Sequence, residues 1–123
     1  MAEKYSVVTA FAQPSSNQSS SHDSLNEYPR TVAVVVTYNR EDLLPKTLAG
    51  IASGERVPAA VVIVDNASTD GTAEYLRALD YELPVDCIRL ESNMGGAGGF
   101  AVGIDRALER HNPDLVWVMD DDT

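Results

Sequence analysis

The feature that most constrains this chain is an alternation that begins at Thr31. Short apolar runs rich in β-branched residues alternate with segments whose apolar residues recur at helical spacing. Val32-Ala33-Val34-Val35-Val36 and Ala59-Ala60-Val61-Val62-Ile63-Val64 are unbroken, the pattern of strands covered on both faces. Val85 to Leu90 and Leu115-Val116-Trp117-Val118-Met119 supply two more runs. Between them, the stretch Glu41–Ala52 carries apolar residues at 44, 48 and 51. Asp70–Leu79 places Ala73, Leu76 and Leu79 on one side, and the third segment aligns Phe100, Ile104, Ala107 and Leu108. Asn39 reads as the N-cap of the first helix, with Asp42 three positions on, while Gly54 with Pro58 and Asn112-Pro113 read as stops. The order β-α-β-α-β-α-β predicts an α/β fold with an open, mostly parallel sheet.

Composition changes before Thr31. Six of the twelve residues from Gln13 to Ser24 are serine, too little apolar surface to offset the entropy of ordering them. Residues 1–30 are therefore expected to form a poorly ordered tail, although Tyr5, Val7, Val8 and Phe11 would suit a short strand. Nine Lys+Arg against nineteen Asp+Glu leave a net charge of −10, which argues against nucleic acid and against an anionic membrane surface as partners. The single cysteine, Cys87, closes no internal disulfide, and no apolar run approaches the roughly 18–20 residues of a membrane span. The first residues lack a secretory signal pattern, so a soluble protein of a reducing compartment is expected. His22 and His111 have no second ligand at metal spacing.

Ligands of open parallel sheets bind outside the carboxyl ends of the strands, and here each strand ends in polar or glycine-rich residues. These are Thr37-Tyr38-Asn39-Arg40, Asp65-Asn66-Ala67-Ser68-Thr69-Asp70-Gly71, Ser92-Asn93-Met94-Gly95-Gly96-Ala97-Gly98-Gly99 and Asp120-Asp121-Asp122. Three adjacent carboxylates repel one another, a conflict that Mg²⁺ or Mn²⁺ with its preference for oxygen ligands removes. Asp120 and Asp122 form an Asp-x-Asp pair suited to one ion; a solvated acidic loop is the bland reading. Asp65 and Asn66 offer an acceptor and a donor to a base edge or a ribose. Tyr38 offers either a stacking face or packing against the first helix. Ser68, Thr69 and Asp70 are read as caps of the second helix. In the glycine run, small residues let a ligand approach backbone N–H groups at a helix start, where the dipole favours phosphate. Gly96-x-Gly98-x-x-Ala101 also fits a loose dinucleotide fingerprint, and NAD(P) binding is the alternative reading.

Taken together, Val34-Val35-Val36-Thr37-Tyr38-Asn39-Arg40, Val64-Asp65-Asn66-Ala67-Ser68-Thr69-Asp70-Gly71-Thr72 and Trp117-Val118-Met119-Asp120-Asp121-Asp122 resemble a family 2 inverting glycosyltransferase of GT-A fold. Asn93-Met94-Gly95-Gly96-Ala97-Gly98-Gly99-Phe100 resembles the galactofuranosyl- and rhamnosyltransferase branch. The resemblance covers residues 31–123, the nucleotide-sugar-binding half of such a domain, cut at the Asp-x-Asp motif. It implies a hexosyltransferase with a UDP-galactofuranose or dTDP-rhamnose donor and a cell-wall polysaccharide or lipid-linked acceptor. It implies donor contacts from Thr37, Tyr38, Asn39, Asp65, Asn66, Asn93, Gly95, Gly96, Asp120 and Asp121, and Mn²⁺ or Mg²⁺ held by Asp120 and Asp122. Where the family commonly has Asp-Asp-Gly-Ser, this chain has Asp65-Asn66-Ala67-Ser68, leaving open which side chain meets the base.

The general base of the family lies downstream of Asp-x-Asp, and no residue here occupies that position. The expectation is a fragment that binds donor without transferring sugar. It would be cytoplasmic, with the full enzyme peripheral at the inner membrane face, and the last strand would be left with an uncovered, self-associating edge. A receiver-like interaction domain is disfavoured, because it needs an acid pair where this chain has Thr37-Tyr38-Asn39.

Overall fold

The computed structural model describes residues 6–12 and 29–120. Four strands, β2 (Thr31–Thr37), β3 (Ala60–Asp65), β4 (Val85–Arg89) and β5 (Leu115–Asp120), run parallel in one sheet. Three helices connect them: α1 (Leu44–Ala52), α2 (Thr72–Arg77) and α3 (Gly95–Arg110). The open parallel sheet read from the apolar runs is the observed fold. Every residue of β2 and β3 is buried, which is why these runs are unbroken rather than alternating.

One element departs from expectation. Ser6–Ala12, inside the stretch assigned to a tail, is a strand, β1, antiparallel to β5. The sheet order is β1-β5-β2-β3-β4, so β5 lies between two strands and is not the uncovered edge that was expected. Among the described strands, the edges are β1 and β4. Residues 13–28 lie outside the described residues.

Strand alternation divides the core in two. Val32, Val34, Val36, Val62, Val64, Val116 and Val118 face α3, joined by Phe100, Ile104 and Leu108. Ala33, Val35, Val61, Ile63 and Met119 face the other side, with Leu44, Leu48 and Ile51 of α1 and Tyr75 and Leu76 of α2. Helix α1 starts at Leu44 rather than Glu41, with Pro45 in its first turn, where a missing N–H costs nothing. Helix α3 lies unusually close to the sheet. A Cβ at Gly103 would stand 2.4 Å from Val34 Cγ1 and 3.0 Å from Val64 Cγ2, and one at Gly99 would stand 2.8 Å from Val36 Cγ1. Gly99, Gly103 and Ala107, four residues apart, form the buried stripe that permits this approach.

Candidate functional site

Register decides which residues are neighbours on the carboxyl edge of the sheet. Thr37 is level with Asp65, Asp65 with Arg89, and Val36 with Asp120. With strands about 4.8 Å apart, Thr37, Asp65 and Arg89 fall in one row spanning about 10 Å, and Asp120 lies on the neighbouring strand one residue short of it, beside Val36. The rim expected from the sequence is therefore one place, and the backbone of Asp120 lies on it. Asp121 and Asp122, expected donor and metal contacts, lie outside the described residues. Among the described residues no group of three or more His, Cys, Asp or Glu is arranged to hold a metal. The Thr37 hydroxyl is buried on this rim without a hydrogen-bond partner.

The loops after β2 and β3 are stitched together. Asn39, at φ 51°, does not cap α1 as expected. Its Oδ1 instead accepts the N–H groups of Thr69 at 2.7 Å and Asp70 at 3.2 Å, and its own N–H donates to Ser68 Oγ at 2.9 Å. Glu41 completes the joint: its N–H donates to Asp70 Oδ2 and its Oε1 accepts from Gly71 N–H. Of the three expected caps of α2, Asp70 serves through the Thr72 N–H at 2.9 Å, whereas the side chain of Ser68 turns to Asn39. Desolvation works against ionisation of Asp70, but the nearby Thr72 side chain and hydrogen bonds from the Thr72 and Glu41 amides prevail and hold its pKa below the usual carboxylate range. Tyr38, at the apex of the first loop, is 44 % exposed, so its ring is open to a stacking ligand and not packed under α1.

Asp65 and Asn66 are buried and already engaged. Asp65 Oδ1 accepts the Ser68 N–H at 3.0 Å, and Oδ2 pairs with Arg89 Nη1 at 2.7 Å. Asn66 accepts the Met94 N–H at 2.8 Å and donates to the Gly95 carbonyl at 3.0 Å, tying the β3 loop to the start of α3. Their side chains shape the rim through the fold, a role the sequence reading did not foresee. A cavity of about 190 Å³ between α2 and β4 has Asp65, Arg77, Cys87 and Arg89 in its wall. Partial desolvation of the Cys87 thiol, then the Asp86 and Asp65 carboxylates, push its pKa up and keep it neutral near pH 7.

The glycine run divides into two parts. Gly95, at φ +76°, and Gly96 have open space where a Cβ would be, which leaves room beside the N-terminus of α3. Asn93 Oδ1 accepts the Gly95 N–H at 2.7 Å and fixes this turn. Gly98 faces Met94, and Gly99 lies against Val36 and Asn66, so both serve packing. The dinucleotide alternative, which needs these glycines at a ligand, is not favoured.

Away from the rim, Asp86 pairs with Arg106 Nη1 at 2.7 Å and with His111 Nε2 at 2.8 Å, which gives His111 a structural role. Arg89 and Glu41 were not singled out from the sequence. The usable signal for Arg89 was pairing: the last residues of parallel neighbours β3 and β4 meet, and here they carry opposite charges.

Residues 32–123 match the model of the family described as Glycosyl transferase family 2. The galactofuranosyltransferase GlfT1 of Mycobacterium tuberculosis is 42% identical over 93 residues, covering 73% of this chain and 29% of that protein. Its counterpart in Mycolicibacterium smegmatis is 37% identical over 90 residues, with the same coverage of 73% and 29%. The chain thus spans 29% of the length of these curated relatives. Among solved structures, the mannosyltransferase PcManGT of Pyrobaculum calidifontis, in complex with GDP-Man and Mn²⁺, superposes with a TM-score of 0.64 at 28% identity, over 79% of this chain and 28% of that one. TarS of S. aureus gives 0.61 at 29% identity, over 76% of this chain and 27% of that one.

Proposed function

The chain belongs to glycosyl transferase family 2, and from that premise we propose that its strand-end rim binds the nucleotide-diphosphate sugar of a hexosyl transfer reaction. The carrying observation is the register that brings Thr37 level with Asp65 and the end of β5, at Asp120, to within one residue of them on the same carboxyl edge. The base stacks on Tyr38 and meets the rim formed by Thr37, Asn39, Asp65 and Asn66. Asn93 holds the turn, and Gly95 and Gly96 leave open space for the diphosphate or the sugar at the start of α3, where the helix dipole favours negative charge. The ribose and diphosphate extend toward Asp120 and Asp121.

A hard divalent cation, Mn²⁺ or Mg²⁺, suits the all-oxygen donor set of Asp120 and Asp122, and when bound it supplies positive charge to the departing diphosphate. The residues of this chain bind and orient the donor. The general base that takes the acceptor proton is assigned to none of them, so donor binding without turnover is the expected behaviour of these 123 residues. Likeness to galactofuranosyltransferases favours UDP-galactofuranose over dTDP-rhamnose, with a cell-wall or lipid-linked saccharide as acceptor. No helix of the described residues is long and apolar enough to cross a membrane, and the work is proposed to take place at the cytoplasmic face.

The test is a titration of the chain with UDP-galactofuranose, dTDP-rhamnose and NAD⁺, with and without Mn²⁺. Binding of a sugar nucleotide that tightens with Mn²⁺, and no longer does so in Asp122→Ala, supports the proposal. Metal-independent NAD⁺ binding with no response to sugar nucleotides overturns it.

A further inference from the structure

Arg89 is a charged residue of the rim that the proposed chemistry does not use. It stands at the end of edge strand β4, its side chain 51% exposed, and it neutralises an Asp65 side chain that is 3% exposed. Its guanidinium fork makes two different contacts. Nη1 donates to Asp65 Oδ2 at 2.7 Å, and Nη2 donates to the Ser68 carbonyl at 3.1 Å. Asp65 Oδ1 takes the Ser68 N–H, so Arg89 closes a turn that contains Ala67 at φ +66°. A left-handed alanine persists only where its surroundings hold it. Ser68 Oγ then accepts the N–H of Asn39, itself left-handed, and Asn39 is the neighbour of the exposed Tyr38.

We propose that Arg89 is a positioning residue for the base end of the donor site, acting through the Asp65–Ser68 turn on Asn39 and Tyr38. This rests on the reading of the rim as a nucleotide-sugar site. The planar fork is essential to the role. A lysine there keeps a charge near Asp65 but has no rigid second donor for the Ser68 carbonyl.

The experiment uses the whole chain, with Arg89→Ala and Arg89→Lys as variants. Amide exchange is followed by NMR without ligand, and affinities are measured for uridine, for UDP, and for pyrophosphate with Mn²⁺. In Arg89→Ala the amides of Asn39, Ser68 and Thr69 exchange faster while those of β2 and β3 do not. Uridine and UDP each bind about tenfold more weakly, the scale of one charge-assisted hydrogen bond, and pyrophosphate binding is unchanged. Arg89→Lys falls between wild type and Arg89→Ala in both measurements. Unchanged exchange at Asn39 overturns the proposal, and so does faster exchange spread through β2 and β3, which marks a purely structural pair. An equal loss for pyrophosphate also overturns it, because Arg89 then touches phosphate directly. A wild-type chain that binds pyrophosphate with Mn²⁺ but neither uridine nor UDP overturns this inference and leaves a metal-diphosphate site standing. One that binds none of the three overturns the functional reading along with it.

Discussion

Replacing Gly103 by alanine sets two opposing effects against each other in the middle of α3. Helix propensity favours the alanine by about 1 kcal/mol, because glycine loses more backbone entropy on ordering. The new methyl would lie 2.4 Å from Val34 Cγ1 and 3.0 Å from Val64 Cγ2. Carbon atoms in contact prefer about 3.5–4.0 Å, so Val34 has to give by more than an ångström. It has little freedom to do so, since β-branched side chains are stiff at χ1 and Val34 is fully buried in the interior strand β2. The helix must lift instead, and overpacking of this kind costs about 1–3 kcal/mol, here toward the upper end. The balance is a net loss of about 1–2 kcal/mol, read as a lower urea midpoint at unchanged m-value. Removing the obstructing methyls supplies the control. In a Val34→Ala background the same glycine replacement should be neutral or stabilising, with a coupling of about 1–3 kcal/mol between the two positions. A Gly103→Ala chain as stable as wild type, or more so, refutes the close-packing account of the glycine stripe.

Three further outcomes are expected. Asn39→Ala and Asn39→Gly lose the same side-chain bonds to Thr69 and Asp70, but only alanine is strained at φ 51°. Urea unfolding should therefore rank alanine below glycine by about 1 kcal/mol. Tyr81 donates to the Leu48 carbonyl, and burial, then Glu82 and Tyr75, raise its pKa to about 12. The fold thus keeps a proton that the unfolded chain releases near pH 10. The stabilisation is full below that pH and disappears as pH rises through 12, so Tyr81→Phe should flatten the alkaline limb of the stability curve. Asp86→Asn weakens the ties to both Arg106 and His111, and a loss of about 1.5–3 kcal/mol in the same urea assay is expected.

The parts of the fold legible in the sequence were those governed by local pattern. Val32–Val36 and Ala59–Val64 announce buried parallel strands because nothing else places so many β-branched residues in succession. The edge where these strands end was legible too, since parallel connections bring every carboxyl end to one side. What escaped was chemistry between residues distant in sequence. Asn39 has the composition of a helix cap, and its true partners lie thirty positions away at Thr69 and Asp70. Asp65 and Asn66 looked like open ligand groups because Arg89, Met94 and Gly95, which occupy them, belong to other loops. The glycine run revealed small residues, but only packing shows that Gly99 serves the sheet while Gly96 faces open space. Ser6–Ala12 was obscured by the serine-rich stretch behind it.

The seat of β5 carries a consequence for synthesis. This strand is the last of the five to leave the ribosome, yet it belongs between two that leave first, β1 and β2. Until Leu115–Asp120 emerges, the flank of β2 that faces it has bare backbone groups beside apolar side chains, the sort of surface on which nascent chains aggregate. Cells making this protein thus leave that flank bare until β5 emerges, and slowing elongation just before residue 115 would lengthen the interval.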